Sequence, residues 1–366
     1  MRNALRELRR RPRRFFAITA ALTLLTVLLL FLGGLLDGLY LGGTGALRAQ
    51  RADVVVYSAD ANDSIIRSRI GPELRRAVES VPGVVGVGGL GVSLLGAVVP
   101  GESDLADAAV IGYQRAPIGV PAVPPAGEAW ADRRLEAFGV RQGMTLKLGP
   151  QQAPIKVRGW VEDTNYLLQG ALWVAPATWR DVQNASRPDA QFLPGTFEIL
   201  VAEGPGDAAG LARRIDAATD GATKTLTKDE AVLASPGTRQ QKSTFNGIIF
   251  VTFAVVGLVV ALFFALLTLE RAPIYGVLKA LGTTTRRLFA GVLVQGFALV
   301  AIAFAVGGLV TLGIVNLLPA RIPLQLVGSR AITTFVGLMI TGAIGSALSL
   351  RRIARIDPVT AIGTGT

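Results

Sequence analysis

Leu269-Glu270-Arg271-Ala272-Pro273-Ile274-Tyr275-Gly276-Val277-Leu278-Lys279-Ala280-Leu281-Gly282-Thr283 lies between two long apolar runs, and its reading decides the fold. Glu270 and Arg271 stand where an apolar helix emerges into water. Pro273 breaks or redirects that helix, because it lacks an N–H and its ring clashes with the preceding turn. Ile274, Val277, Leu278 and Leu281 then recur at helical spacing on one side, with Lys279 turned away. Gly282 suits the left-handed position after a helix end. The segment therefore reads as a short amphipathic helix held between two membrane spans. Such a helix docks in the groove of a partner or lies on lipid; the periodicity alone leaves both readings open.

Outward from this stretch, four apolar blocks lie at roughly 15–36, 247–269, 288–317 and 331–350, and none contains a charged residue. Each approaches or exceeds the ~20 residues that a helix needs to cross a bilayer. Lipid offers no hydrogen-bond partners, so the blocks are predicted as helices. Hydrophobic residues make up 51% of the 366-residue chain, and the mean hydropathy is +0.47, both high for a soluble domain.

The net charge of +11 would suit a nucleic-acid binder if it were spread over a folded surface. It is not. Residues 1–14 carry seven Arg and one Glu, and 270–287 carry four Lys or Arg and one Glu. Residues 351–366 carry three Arg and one Asp, whereas 42–245 holds 21 basic and 22 acidic residues. Excess positive charge confined to the short flanks of apolar spans is the positive-inside pattern. It predicts that both termini and the 270–287 loop are cytoplasmic, and it argues against a nucleic-acid partner. The first apolar run is longer than a signal-peptide core and lacks a clear small-x-small cleavage site, so it is read as a retained anchor.

The expected fold is therefore a membrane α-helical protein, one span plus three, with a large α+β extracytoplasmic domain between the first and second helices. In order, the division is a basic N-terminus 1–14, first helix 15–41, outer domain 42–245 and second helix 246–269. A coupling loop 270–287, third helix 288–317, outer loop 318–330, fourth helix 331–350 and C-terminus 351–366 follow.

Within the outer domain, Asp53–Tyr57 is predicted as a strand and Pro72–Val81 as a helix closed by Pro82-Gly83. The Gly- and Val-rich run 84–99 should contain strand. Met144–Leu148 and Ile155–Val161 alternate apolar with polar across Gly149-Pro150 and read as a hairpin. Ala171–Val174 is a strand before a short helix from Pro176 to Val182. Phe197–Val201, a helix capped by Asp207 and running to about Thr219, and Thr223–Leu226 form a β-α-β unit. Two lobes are expected, with the proline-rich loop Ala116–Pro125 as a candidate divider. No tandem repeat is visible.

The chain has no histidine and no cysteine, which removes the commonest general base, the commonest zinc ligand, any disulfide and any thiolate site. No G-x-x-x-x-G-K-[ST] phosphate loop occurs; Thr223-Lys224-Thr225 resembles its end, but Ala218 and Thr223 stand where glycines are required. No catalytic, cofactor-binding or metal-binding residue is therefore assigned. Asp37, Gln295 and Asn316 are polar residues within or beside spans, where they line a path or an interface, or simply meet water or a neighbouring helix. Gly33-Gly34 and Gly307-Gly308 permit close helix approach or a bend. Trp160, Trp173, Trp179 and Tyr166 either grip an apolar ligand or form core. Asn184-Ala185-Ser186 fits a glycosylation sequon, a reading set aside because the composition looks bacterial.

The 270–282 segment resembles the cytoplasmic coupling loop of the ABC-type permeases that include FtsX, MacB and LolE, whose pattern reads E-R-x-x-E-I-G-x-L-x-A-L-G. Glu270, Arg271, Gly276, Leu278, Ala280, Leu281 and Gly282 match it; Ile274 replaces the usual acid and Tyr275 the usual Ile. Arg351–Ile362 likewise resembles the family's ending x-I-D-P-V-E-A-L-R, with Ile356-Asp357-Pro358-Val359 kept, Thr360 in place of Glu, and Ile362-Gly363 in place of Leu-Arg. The resemblance is nearest to stand-alone, DevC-like permease subunits. It implies a permease that performs no chemistry and transmits the motion of a separate ABC ATPase, which binds the ATP and Mg. It assigns ATPase coupling to Glu270, Arg271, Gly276, Val277, Leu278, Lys279, Leu281, Gly282, Asp357 and Pro358. It further implies a multi-pass protein of the cell (inner) membrane, working with a second copy or a related permease, that exports or extracts a lipophilic substrate. The alternative is FtsX-like signalling that controls a cell-envelope hydrolase without transport. A membrane-anchored sensor or enzyme without an ATPase is disfavoured by the missing His, Cys and nucleophile–base constellation.

Overall fold

A computed structural model describes residues 12–270, 284–319 and 321–354. Two compact units emerge: a helical unit built from residues up to Gly38, Ser243–Pro319 and the chain from Leu324 onward, and a sheet unit of Leu39–Lys242 with Ala320–Pro323.

The helical unit contains α1 (Pro12–Arg48), whose last turns belong to the sheet unit, and α6 (Thr238–Glu270), α7 (Thr285–Leu317) and α8 (Gly328–Ala354). α1 has 37 residues, about 55 Å at 1.5 Å per residue. Three of these helices, over Phe15–Arg48, Thr238–Phe263 and Leu293–Leu317, are long and apolar enough to cross a membrane. Their inner faces meet in one apolar cluster: Phe15, Ile18, Leu22 and Leu29 from α1, Val256 and Val260 from α6, Leu299, Val300 and Ala303 from α7, and Leu338 from α8. Small residues set the crossings. A Cβ on Gly345 would stand 2.6 Å from the Gly257 carbonyl oxygen, so α6 and α8 touch backbone to backbone there. At Gly307 a Cβ would meet Thr26 at 2.9 Å, which fixes the approach of α1 to α7. The buried hydroxyls of Thr26 and Thr311 donate to the carbonyls of Leu22 and Gly307 four residues back, so neither leaves a polar group unmet in an apolar interior.

The sheet unit comprises β1 (Val54–Ser58), α2 (Pro72–Glu79), β2 (Gly86–Val98), β3 (Leu105–Tyr113), β4 (Glu128–Asp132), β5 (Thr145–Leu148), β6 (Ala153–Val161), β7 (Gly170–Val174), α3 (Pro176–Ser186), β8 (Ile199–Glu203), α4 (Ala208–Ala218), β9 (Thr223–Thr227) and α5 (Lys228–Ala234). Strand β1 is antiparallel to β8 on one side and to β9 on the other, and β8 is antiparallel to the first half of β2. With α2 and α4 as the helices, this is a β-α-β-β-α-β lobe of sheet order β2-β8-β1-β9. The predicted β-α-β of 197–226 is thus split, with β1 inserted between its two parallel strands. Val54, Val56, Leu200 and Ala202 face α2 and α4, meeting Val78, Val81, Leu211 and Ile215.

The second half of β2 belongs to another structure. β2 pairs with β3, β3 with β7, β7 with β4, β4 with β6, β6 with β5, and β5 returns to β2 at Ala97↔Leu148. Six strands therefore close into a barrel. Closure removes sheet edges and requires small inward side chains when few strands are used. Ala97, Ala106, Ala108, Ala129 and Ala131 supply them, packed with Leu146, Leu148, Ile155, Val157 and Leu172. Two lobes are present as predicted, but the divider was misplaced. Ala116–Pro125 connects β3 to β4 inside the barrel lobe, pinned by the Tyr113 hydroxyl donating to the carbonyls of Pro121 and Ala122. The lobes are joined along the length of β2 and by the passage from α3 to β8. A proline-rich loop signals a chain without ladder hydrogen bonds, not a domain border.

Two further boundaries differ. Helix α3 runs four residues past Val182, to Ser186. The strand predicted from Phe197 begins at Ile199, because Phe197 makes only an isolated bridge to Ile70 and Glu198 turns its carboxylate inward.

Candidate functional site

Of the residues assigned to coupling, Glu270 is the last residue of α6. Arg271, Gly276, Val277, Leu278, Lys279, Leu281 and Gly282 lie outside the described residues, as do Asp357 and Pro358. The flanks are defined: α6 ends at Glu270, and Thr284 occupies the N-cap of α7 in extended conformation, φ −69° and ψ 142°. The thirteen-residue interval 271–283 therefore joins two long helices of the helical unit.

The polar residues of the spans separate in kind. Asp37 was expected either at a water boundary or lining a path; its side chain is 14% exposed and pairs with Arg330. Arg330 Nε donates to Asp37 Oδ1 and Oδ2 at 3.2 and 3.0 Å, and its Nη2 donates to Oδ1 at 2.5 Å. The pair links α1 to the first turn of α8. Gly33 makes room for it: a Cβ there would lie 3.2 Å from Arg330 Cγ, so the arginine stem crosses the bare helix backbone. Gly34 serves the chain before α8, where Gln325 N donates to the Gly34 carbonyl at 3.0 Å. The pairing partner was missed from sequence, although a lone Asp and a lone Arg bordering apolar blocks were a usable signal. Gln295 is buried and Asn316 is exposed.

Beside this ion pair lies a cavity of ≈ 170 Å³. Leu30 and Gly34 of α1, Phe304 and Gly308 of α7, Leu326 and Arg330 are among the residues that line it. Gly307 and Gly308, one motif in the sequence, have different roles. Gly307 receives α1, whereas a Cβ on Gly308 would meet nothing within 4 Å.

The sheet unit offers a second, polar cavity of ≈ 160 Å³ at the gap in β2 between its β8 and β5 partners, lined among others by Val92, Ser93, Gln183, Arg187 and Glu198. Glu198 is 2% exposed and its Oε2 accepts from Val92 N at 2.6 Å. Burial pushes its carboxyl well above the usual carboxylate range, against the opposing pull of the Val92 amide, Arg187 and Arg69. Asp132 is likewise raised by burial, although it accepts from Arg134 N and from both the amide and hydroxyl of Thr164.

The aromatic set is core. Trp173, Trp179 and Tyr166 are buried, and only Trp160 is partly exposed. Trp179 stacks on Phe197 with centroids 6.1 Å apart and covers the bare backbone of Gly91 and Gly112, where any Cβ would fall within 2.5 Å of the indole. The ligand-gripping alternative is removed for those three residues. No cluster of three His, Cys, Asp or Glu able to hold a metal occurs among the described residues.

Three helices long and apolar enough to cross a membrane, joined in one chain to a folded sheet unit, fit a membrane-embedded protein. Residues 246–358 match the FtsX-like permease C-terminal domain. The hemin transport system permease protein HrtB, by name, of Staphylococcus epidermidis is 29% identical over 39% of this chain and 41% of its own length; the chain thus spans about two fifths of that relative. An uncharacterized ABC transporter permease of Mycobacterium tuberculosis, Rv2563, is 35% identical over 30% of this chain and 31% of its own. Another, Rv0072, is 23% identical over 98% of both. Among solved structures, the extracellular domain of YknZ aligns at TM-score 0.34 and 11% identity over 47% of this chain and 98% of that one. The periplasmic region of MacB from Actinobacillus actinomycetemcomitans aligns at TM-score 0.34 and 12% identity, over 50% and 91%. Residues 246–358 thus resemble an FtsX-like permease domain, and the relatives named above are called permeases.

Proposed function

We propose that this chain is the membrane subunit of an ABC-type complex and passes the ATP-driven motion of a separate ATPase to its sheet unit. The observation that carries the reading is the FtsX-like match, which spans the 271–283 interval and reaches Pro358. In this reading Val277, Leu278 and Leu281 present the apolar face that docks on the ATPase, and Glu270, Arg271, Gly276, Lys279, Gly282, Asp357 and Pro358 frame the contact. α8 acts as the fourth span, both termini are cytoplasmic, and the sheet unit is extracytoplasmic. Two permease copies, or this chain and a related one, work together. Their helices carry large apolar side chains outward, among them Phe250, Leu258, Leu266 and Leu309, which suits lipid or a neighbouring helix bundle.

The cargo class is lipophilic. An apolar cavity among the helices supports this, as does a relative named for hemin, a flat and largely apolar molecule. These two observations favour transport over hydrolase signalling.

The test is co-expression with candidate ABC ATPases and co-purification in detergent. Leu278→Asp combined with Leu281→Asp should abolish ATPase recovery while the permease itself is recovered intact. Equal recovery with wild type and double variant would refute the docking face.

A further inference from the structure

We propose that the cavity beside Arg330 is a binding site for a single-chain anionic amphiphile, with the chain in the cavity and the anion on the free edge of the Arg330 guanidinium. The proposal deepens the permease reading and rests on its placement of these helices in a membrane.

The lining is almost wholly apolar side chain: Leu30, Phe304, Leu312 and Leu326 close round the bare backbone of Gly34 and Gly308. Water gains little in such a space, since it needs two to four polar partners to settle. Linear hydrocarbon is the abundant molecule that suits it inside a bilayer.

The charge at one end selects the head group. A guanidinium has five N–H donors in a fixed fork. Asp37 takes those of Nε and one of Nη2. Among the described residues Nη1 donates to nothing, and the arginine side chain is 34% exposed. A carboxylate or phosphate can therefore bind at Nη1 without breaking the pair with Asp37, which holds the fork in place. A cationic head group would meet this edge unfavourably, and a neutral one would forgo the charge-assisted bond.

Gly308 offers a clean way to close the site. Its Cβ position is open, so Gly308→Leu projects into the cavity without striking backbone. Gly313 on the same helix is also open at Cβ but is not among the lining residues, so Gly313→Leu is the matched control.

The experiment uses the full chain in nanodiscs, photolabelled with palmitate bearing a mid-chain diazirine, and maps the label by mass spectrometry. Label should concentrate on the α1, α7 and α8 segments that line the cavity. Gly308→Leu should reduce it about tenfold or more, the size expected when added methylenes overfill an occupied site, and Gly313→Leu should leave it unchanged. Unlabelled palmitate should compete better than hexadecanol, and Arg330→Gln should erase that preference. A single-chain lysophospholipid extracted from the purified protein would identify a membrane lipid as the source; a site filled only on adding palmitate would identify a free fatty acid. Unaltered labelling in Gly308→Leu, or equal competition by acid and alcohol in the wild type, would overturn the proposal. Helical circular dichroism of each variant separates loss of binding from loss of folding. ATPase co-purification from the same preparations tests the permease reading separately: label with no ATPase bound would leave the site standing and remove the coupling.

Discussion

The two units of this protein solve the same burial problem in opposite solvents. In the sheet unit, apolar side chains go inward and Trp173 and Trp179 are completely covered. Apart from the buried carboxyls of Glu198 and Asp132, ionisable side chains stay outside in pairs such as Arg133–Glu162 and Arg158–Glu128. In the helical unit, large apolar side chains stand on both sides, Phe15, Leu22 and Leu29 inward and Phe250, Leu258 and Leu309 outward, while glycine, threonine and one ion pair among the described residues make the closest inner approaches. The difference teaches where stability resides. Water drives side chains together in the sheet unit. Lipid does not distinguish a buried leucine from an exposed one, so close fit and polar partners decide the helix packing.

The largest expected effect tests the water-driven side. Trp179→Ala removes a side chain that fills the space over Gly91 and Gly112 and stacks on Phe197. It should cost about 3–5 kcal/mol. All four tryptophans lie in the sheet unit, so thermal unfolding of the whole protein followed by the fluorescence of the remaining three reports this unit. A loss under about 1 kcal/mol would mean that the barrel collapses round the hole and is not the jigsaw described above.

Next is the polar contact of the helical unit. Asp37→Ala leaves Arg330 without its partner in a mostly apolar setting. Truncating one member of a fully buried pair costs about 3–5 kcal/mol, and the partial exposure of this arginine lowers the expectation to about 1–3 kcal/mol. Helical circular dichroism in detergent against denaturant is the measurement. Arg133→Ala in the sheet unit, where both partners are about half exposed or more, should cost less than about 1 kcal/mol. Equal losses would erase the contrast between the units.

How much of this was legible beforehand follows from the same physics. The helices show in the sequence because a span needs an unbroken apolar run whatever it packs against. The pairing of Asp37 with Arg330 did not show, because nothing local links residues so far apart in the chain. In the sheet unit the hairpin at Gly149-Pro150 was readable from alternation and a turn. The strand expected within 84–99 is β2, but its pairing was not readable, because Gly86-Val87-Gly88-Gly89-Leu90-Gly91 has no period-two pattern; those glycines answer to Phe197, Trp179 and Arg115, which lie across the fold. Barrel closure was equally hidden, since it depends on the register Ala97↔Leu148 and not on any one strand. The coupling segment was the reverse case, most legible as a motif and outside the residues the structure describes.

Glu198 gives a smaller and signed effect. Its carboxyl is raised in the folded state by burial, so the folded chain holds this proton to higher pH than the unfolded chain does. The stabilising protonation is therefore complete below the unfolded carboxylate range. Stability falls as pH climbs from there toward the folded value, with a slope of up to about 1.4 kcal/mol per pH unit. Glu198→Gln keeps an acceptor for Val92 N and has no charge to bury. It should flatten this slope in the tryptophan melt and raise stability at neutral pH. A slope unchanged by the substitution would assign the pH dependence elsewhere, with Asp132, raised by burial in the same sense, the next group to substitute.

The smallest expected change is the sharpest test of the lipid-facing side. Phe250 is among the largest apolar residues on α6 and is 74% exposed. On the surface of a water-soluble protein such a residue would be a liability. In a bilayer, Phe250→Ala exchanges one lipid-solvated surface for another, so it should alter the stability of the helical unit by less than about 0.5 kcal/mol. The measurement is the same helical unfolding, run beside single-molecule counting of copies per nanodisc. A loss above about 1 kcal/mol together with a shift from two copies to one would show that this face of α6 is covered by another subunit. The contrast between the units would then lie in which surface is buried by assembly, not in which solvent surrounds it.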